Sequence, residues 1–510
     1  MKRALISVYD KQGIVKFSEK LIELGWEIIS TGGTYKELKK AGIPVIEINE
    51  ITKFPEILDG RVKTLNPILH GGILYRRDNE KDLETVNEYG LCTIDMVVNN
   101  FYPFEETIKK EAISEGEVIE NIDIGGPSML RAASKNFKFV TVIFDNEDYN
   151  TVIDEIARFG DTTLETRKIL AGKAYSYTAY YDSLVSDYFN STNSTLFPKH
   201  LTIGYKKNSD LRYGENPHQK AALYEKSIQN TPNAINSKKL HGKEMSYNNI
   251  FDVNALLELL TEFNEPTAVA IKHGNPCGIS SSHDIYTAYL NAYNADTESI
   301  FGGIVGLNKE VDEKLASKLS EIFLEIILAP SFTSKALEIL QKKKNIRLLE
   351  IDKLNEFKKD KMTFKAINGG LLYQEKDNLL INGKFEVVSK RKPTPGELED
   401  MNFAWIISKY INSNGVVLAK DKTSLGIGLG DVNRYFAVES ALKKAKGNTE
   451  NSVLASDGFF PFDDSIKLLA QHGITAIIEP GGSIRDKEVI QEADKNNIAL
   501  VFTGIRHFKH

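Results

Sequence analysis

Ala4-Leu5-Ile6-Ser7-Val8, Glu27-Ile28-Ile29-Ser30 and the turn Thr31-Gly32-Gly33-Thr34 decide the fold of the first third of this chain. The first two are apolar runs of strand length. Between them Ile14, Val15, Phe17, Leu21, Ile22 and Leu24 recur at the spacing of one helix face. Beyond the turn, Tyr35 to Ala41 reads as a second helix stopped by Gly42, and Pro44-Val45-Ile46-Glu47-Ile48 as a third strand. Ile94-Asp95-Met96-Val97-Val98 and Phe139-Val140-Thr141-Val142-Ile143 add two buried-strand runs. Strands alternating with helices predict an α/β fold with a mainly parallel sheet covered on both faces. Residues 147–190 read as helical, with the aromatic stretch Tyr175 to Tyr181 engaged in packing.

The whole chain has 510 residues, enough for about three core-forming units. Its 64 basic and 70 acidic residues leave a net charge of −6 and no basic footprint for nucleic acid. No stretch approaches the length of a membrane span, and the start meets Asp10 before a signal-length apolar run develops. Two cysteines, Cys92 and Cys277, cannot build a disulfide framework, so a cytoplasmic setting is expected. The polar stretch Asn190 to Thr195 places a domain boundary near 195, giving domains 1–195 and 196–510. The second is long for one core and is expected to hold two lobes, divided near 340–365, where a Lys-rich run reads as solvated surface.

Three pieces of the first domain read as one pocket for an anionic substrate. The glycine pair of Thr31 to Thr34, between strand and helix, suits either a phosphate on free N–H groups or a plain turn. Lys11 ends another strand, where it can add a cation. Arg61 and Lys63 in Asp59-Gly60-Arg61-Val62-Lys63-Thr64 present charge from a loop, or are simply solvated. Asp123 stands among isoleucines ahead of Gly125-Gly126, a costly place for a charge without a partner or a task. Tyr102, after an apolar strand, reads by itself as a packed aromatic.

Taken together, STGGT at 30–34, GRVKTL at 60–65, NFYPF at 100–104 and IDIGGPSMLRAASKN at 122–136 resemble the IMP cyclohydrolase domain of the bifunctional AICAR transformylase/IMP cyclohydrolase family. The resemblance implies a methylglyoxal-synthase-like fold. It implies that Lys11 and Thr31, Gly32, Gly33 and Thr34 hold the 5′-phosphate, with Arg61 and Thr64 placing the nucleotide. Lys63, Tyr102, Asp123 and Lys135 would be the working groups of ring closure, a reaction that needs proximity and proton transfer but no metal.

In the second half, Arg212-Tyr213-Gly214-Glu215-Asn216-Pro217 joins a forked cation to a fixed backbone path. Lys272-His273-Gly274-Asn275-Pro276-Cys277 ends an apolar strand with a pair suited to acyl or formyl transfer. Cys277 has no second cysteine nearby for a zinc deaminase and reads as a small buried residue. The run Gly426-Ile427-Gly428-Leu429-Gly430 lacks the spacing of a dinucleotide fingerprint. Arg506-His507-Phe508-Lys509-His510, read as an isolated basic tail, is a frayed end.

LRYGENPHQ at 211–219, KHGNPCG at 272–278, FGGIV at 301–305, SNGVVLAK at 413–420, SDGFFPF at 456–462 and RHFKH at 506–510 resemble the transformylase domain of the same family. The resemblance implies two cytidine-deaminase-like lobes without catalytic zinc and a homodimer. It makes Lys272 and His273 the catalytic pair, with Asn414 orienting the substrate carboxamide. Arg212, Tyr213, Glu325, Arg506 and His510 would hold the nucleotide, and Phe459, Pro461 and Asp464 the co-substrate 10-formyltetrahydrofolate. The expected function is formylation of AICAR followed by closure of the product to IMP. The rival is a nucleotide-sensing regulatory protein, which would keep the phosphate turn but have no need of these catalytic groups.

Overall fold

The computed structural model describes residues 1–110, 112–227, 231–381, 383 and 385–510. The chain divides into two units, Met1–Asn208 with Tyr224–Asn230, and Ser209–Leu223 with Thr231–His510. In the first, β1 (Arg3–Val8), β2 (Glu27–Ser30), β3 (Ile46–Glu47), β4 (Met96–Asn100) and β5 (Thr141–Ile143) form a parallel sheet in the order β3-β2-β1-β4-β5. Ala4, Leu5 and Ile6 are all fully buried, as they must be where helices cover both faces.

Two local readings change. The third strand is only two residues long, because Glu47 and Glu50 form a capping box that starts a helix at Ile48. The second helix begins on the glycine pair itself and runs Gly32–Lys40. Helices Tyr149–Phe159 and Leu164–Thr192 account for the helical reading of 147–190, and the polar stretch from Asn190 starts as the last turn of the longer one. Tyr177 stacks on Phe101 at 4.6 Å and on Phe144 at 4.3 Å, and Tyr181 meets Phe101 edge-on at 5.0 Å, so these tyrosines pack. The division between units falls in a hairpin of β6 (Lys206–Leu211) and β7 (Ala221–Glu225).

The second unit is built on one mixed sheet. Its first half contributes β8 (Lys238–His241), β9 (Thr267–Lys272), β10 (Asn275–Ser281), β11 (Ile304–Leu307), β12 (Ile326–Ala329) and β13 (Arg347–Glu350). A separate hairpin, β14 (Met362–Ile367) and β15 (Gly370–Glu375), follows. The second half adds β16 (Glu386–Val387), β17 (Val416–Lys420), β18 (Thr423–Gly428), β19 (Ser452–Ser456), β20 (Ile474–Glu479) and β21 (Ala499–Phe502). The order is β16-β21-β20-β19-β17-β18-β10-β9-β11-β12-β13-β8. Each half repeats one arrangement: a helix (Tyr247–Leu260 or Pro395–Ser408), an antiparallel hairpin, then three further strands alternating with helices. The two lobes are therefore copies of one fold, sharing a sheet.

Alternation along the strands explains why they fuse. Val269 and Ile271 of β9, with Val417 and Ala419 of β17, enter a common core around Trp405. Ala268 and Ala270 enter a core private to the first half, and Val416 and Leu418 one private to the second. Strand directions then follow from the pairings. β9 and β10, β10 and β18, β18 and β17, β17 and β19 are each antiparallel. As a result Lys272 at the end of β9, Glu325 ahead of β12, Asn414 ahead of β17, Asp457 after β19 and the tail after β21 all lie along one edge of the sheet.

Helices seat closely on the hairpins where the strand residue is glycine. A Cβ on Gly428 would fall well inside contact with the Ala437 carbonyl oxygen, a backbone atom that cannot swing aside. Gly428→Ala is expected to cost about 3 kcal/mol, read as a lower denaturation midpoint. Gly396→Ala, where a Cβ meets nothing within 4 Å, should be neutral or stabilising in the same assay.

Candidate active sites

In the first unit the order of strands reverses beside β1, and ligands of such sheets gather beyond the carboxyl ends there. Lys11 follows β1, the glycine turn follows β2 and Tyr102 follows β4. Gly32 takes a left-handed φ of 54°, and a Cβ on it would stand 2.9 Å from the Lys63 ammonium. Lys11 packs over Gly33 at ordinary contact distance, its Nζ 3.7 Å from a Cβ position. Thr31 caps the helix without a side-chain bond, and its buried Oγ1 has no partner. Two ammonium groups, a helix start and an unserved hydroxyl are a set of donors suited to an anion. Thr34 is spent elsewhere: its hydroxyl accepts from Val8 N (3.0 Å) and donates to Val8 O (2.9 Å), fastening the turn to β1. Lys63 pairs with Glu56 at 2.6 Å, and exposed Arg61 pairs with Glu120.

A second helix start adjoins. Thr64 Oγ1 lies against Gly125, the first residue of helix Gly125–Lys135. Asp123 accepts from Gly126 N at 2.8 Å and Tyr102 N at 3.3 Å. Burial raises its carboxyl above the ordinary range despite those bonds. The Tyr102 phenol is raised by burial, then by Asp123 and Glu56, while its ring is 52% exposed and meets Tyr9 edge-on at 6.1 Å. Tyr102 is thus not packed into the core but faces the crevice with its proton retained. Lys135 ends the same helix, ten residues or roughly 15 Å from Gly125. It lines a cleft of about 670 Å³ with His70, Arg131, Tyr175, Leu65 and Asn66. The structure brings Lys11, Lys63, Tyr102 and Asp123 to one crevice and sets Lys135 in the next.

In the second unit Lys272 donates to Phe301 O at 2.9 Å. His273 takes a left-handed φ of 52°, and Gly274, at φ 70°, donates its N–H to Asp252 at 2.7 Å, packed where a Cβ would strike Phe251. This bend lets both side chains line one pocket of about 280 Å³, with Asp296 and Lys444. Burial pushes the Cys277 thiol up to about 12, so it holds no thiolate for attack. Glu325 accepts from Asn249 Nδ2 at 2.7 Å. Arg212 stacks over Tyr213 at 4.6 Å and donates to its hydroxyl at 2.8 Å.

Asn414 is held by a residue that no local pattern marked. Buried Arg434 donates Nη2 to Asn414 Oδ1 at 2.6 Å and Nη1 to Asp457 Oδ1 at 2.5 Å and Ser456 Oγ at 2.8 Å. Asp457, fully buried, also accepts from Gly415 N at 3.0 Å and from the Ser413 hydroxyl. Asn414 Nδ2 donates to Asp431 O at 2.8 Å. Phe459 and Phe462 are exposed with half-buried Pro461 between, and Asp464 opens the next helix. The basic tail is anchored, which overturns the frayed-end reading. His507 N donates to Asp457 O and Ser413 N to Lys509 O, both at 2.9 Å. Arg506 then stacks over Phe508 at 4.6 Å, whose ring lies 5.9 Å from His510.

The sheet order separates these groups within one chain. Lys272 lies three strands from β17, roughly 14 Å, and six from β21, roughly 29 Å. Among the described residues, no three His, Cys, Asp or Glu side chains are grouped to hold a metal, and no helix is long and apolar enough to cross a membrane.

Behind the Phe459–Phe462 wall, buried Glu479 accepts from Phe460 N at 2.7 Å, and its Oε1 has no partner. Burial pushes this carboxyl from 4.5 up to about 8. Between those values the folded protein keeps a proton the unfolded chain has lost, so stability falls as pH rises through the window. Glu479→Gln should remove that decline: its melting temperature relative to the parent should rise from pH 4 to pH 8. A pH-independent difference would show a carboxyl of ordinary acidity.

The sequence matches the family model for the AICARFT/IMPCHase bienzyme over residues 133–444 and that for the MGS-like domain over residues 13–128. It is 53% identical over 515 residues to the bifunctional purine biosynthesis protein PurH of Caldicellulosiruptor saccharolyticus, covering all of both chains. The corresponding figures are 54% over 510 residues for PurH of Thermoanaerobacter sp. strain X514 and 52% over 511 for that of Listeria monocytogenes serotype 4b strain F2365, again with full coverage of both chains. A nucleotide-sensing module accounts for neither this extent nor the larger unit. The chain belongs to the AICARFT/IMPCHase bienzyme family, the bifunctional purine biosynthesis proteins.

Proposed function

We propose that the two activities of this bifunctional enzyme, AICAR transformylase and IMP cyclohydrolase, are divided between its units, cyclisation in the first and formyl transfer in the second. In the first, Lys11, Thr31, Gly32 and Gly33 take the 5′-phosphate, with Arg61 and Thr64 beside the nucleotide. The carboxamide nitrogen attacks the formyl carbon, and the Lys63 ammonium and Tyr102 phenol donate to the developing oxyanion. Asp123, whose burial favours holding a proton, serves the dehydration that follows. Lys135 belongs to this machinery through the adjoining cleft, which Leu65 and Asn66 line next to Thr64.

In the second unit 10-formyltetrahydrofolate supplies the formyl group, and the exposed Phe459 and Phe462 faces with Pro461 and Asp464 fit a planar ring. His273 accepts the proton of the attacking amine and Lys272 stabilises the oxyanion, while Asn414 orients the carboxamide from its anchor on Arg434. Arg212, Tyr213, Glu325, Arg506 and His510 hold the nucleotide. The two free cysteines fit a reducing, cytoplasmic setting.

One observation carries the assembly: Lys272 and Asn414 of the same chain stand three strands or roughly 14 Å apart, with the tail anchored on the Asn414 side, although the amine and the carboxamide they would serve are neighbours on one ring. A homodimer closes that separation by facing the Lys272 end of one copy with the Asn414 end of its partner, two equivalent sites about one axis. Lys272→Ala should then abolish formyl transfer and spare cyclisation of supplied formylated ribotide, and Lys63→Ala should do the reverse. Co-expressed Lys272→Ala and Asn414→Ala chains should regain about a quarter of parental formyl transfer, because half the dimers are mixed and each mixed dimer has one intact site. No recovery would place both groups in a site made by one chain.

A further inference from the structure

The terminal segment alternates, with Arg506, Phe508 and His510 exposed and His507 and Lys509 turned inward. It belongs to no strand of the sheet, and two backbone bonds, His507 N–H to Asp457 O and Ser413 N–H to Lys509 O, are joined by side-chain contacts in fixing its register. A slip of one residue would bury Arg506 and His510 and expose the inward pair. The inward residues supply the fixing contacts. His507 is fully buried, with its ring 4.7 Å from that of Trp405. Its Nδ1 lies 2.5 Å from Asp377 Oδ2 and its Nε2 3.2 Å from Leu380 O. Leu380 O already receives the Trp405 indole N–H at 2.8 Å. Both ring nitrogens therefore have polar partners, and these two contacts fix the plane of the ring. Lys509 adds a bond from Nζ to Tyr410 O at 3.0 Å.

We propose that His507 is a positioning residue for formyl transfer: by its contacts with Asp377 and Leu380 it sets the register that turns Arg506 and His510 toward the nucleotide. This rests on the reading that the tail holds the ribotide. His507 itself touches no substrate. Its backbone N–H on Asp457 O joins the tail to the network that orients Asn414, so one buried ring steadies both.

The test uses the full-length enzyme, with cyclisation of supplied formylated ribotide as the internal control. His507→Leu keeps the bulk and removes both polar contacts; Asp377→Asn removes the charge from a side chain 44% exposed, so it probes the contact without opening the core. Each is expected to raise the ribotide KM of formyl transfer about tenfold, the loss of one charge-assisted bond, with kcat, the folate KM and cyclisation unchanged. Arg506→Ala should raise the same KM, and His507→Leu added to it should raise it no further, since both act through one contact. A normal ribotide KM in Asp377→Asn and His507→Leu, beside a raised one in Arg506→Ala, would overturn the positioning role alone. A normal KM in Arg506→Ala would overturn the tail as nucleotide holder and the positioning role with it. Additive effects in the double variant, or equal rises in the ribotide and folate KM, would reduce His507 to a structural residue.

Discussion

The antiparallel pairing of β10 with β18, with Ser280 opposite Thr423, is the constraint on which the larger unit depends. It joins two copies of one fold into a single sheet and fixes their relative strand directions. Because β9 and β17 consequently run in opposite senses, the end of one and the start of the other reach the same edge. A parallel junction would have sent Asn414 and Lys272 to opposite edges. The shared core around Trp405 holds this arrangement, since strands of both halves enter it on the same face.

The smaller unit solves a different problem, holding positive charge close to backbone. Glycines at 32 and 125 leave room for Lys63 and Thr64 against two helix starts, where a Cβ would crowd them, and Lys11 packs at ordinary contact distance over Gly33. Helix starts favour an anion, the ammonium groups complete its neutralisation, and neither contribution would serve at a distance. Asp123 shares this crevice at the cost of burial, which keeps it able to carry a proton beside a phenol that retains its own.

Along the edge of the large sheet, exposed binding groups are steadied by buried polar ones. Arg434 and Asp457 lose solvent on both sides, a cost offset by their ion pair and by the bonds each makes to Asn414, Ser456, Gly415 and Ser413. The return is orientation of Asn414 in place of stability. Glu479, through one oxygen, holds the Phe460 N–H behind the Phe459–Phe462 wall, and His507 holds Asp377 and Leu380 beneath the tail. Such groups are expensive to leave unpaired, so they hold one geometry in preference to several.

Hydrophobic period and glycine placement were sufficient to read the parallel α/β unit, the glycine turn after β2 and the Lys272-His273 bend, because each depends on contacts a few residues apart. The same reading made β3 too long, since a capping box three residues deep ends it, and it took the tail for a frayed end, since its anchors Asp377, Leu380, Asp457 and Ser413 lie far back in the chain. Arg434 escaped because nothing in Asn433-Arg434-Tyr435 announces a partner at 457. The sequence alone named the candidate residues, because residue type and local spacing are all that such a choice needs. Tertiary structure decided which of them meet, placing Lys272 three strands from Asn414's β17, because the direction and order of the two halves of the sheet are set by a pairing between segments more than a hundred residues apart.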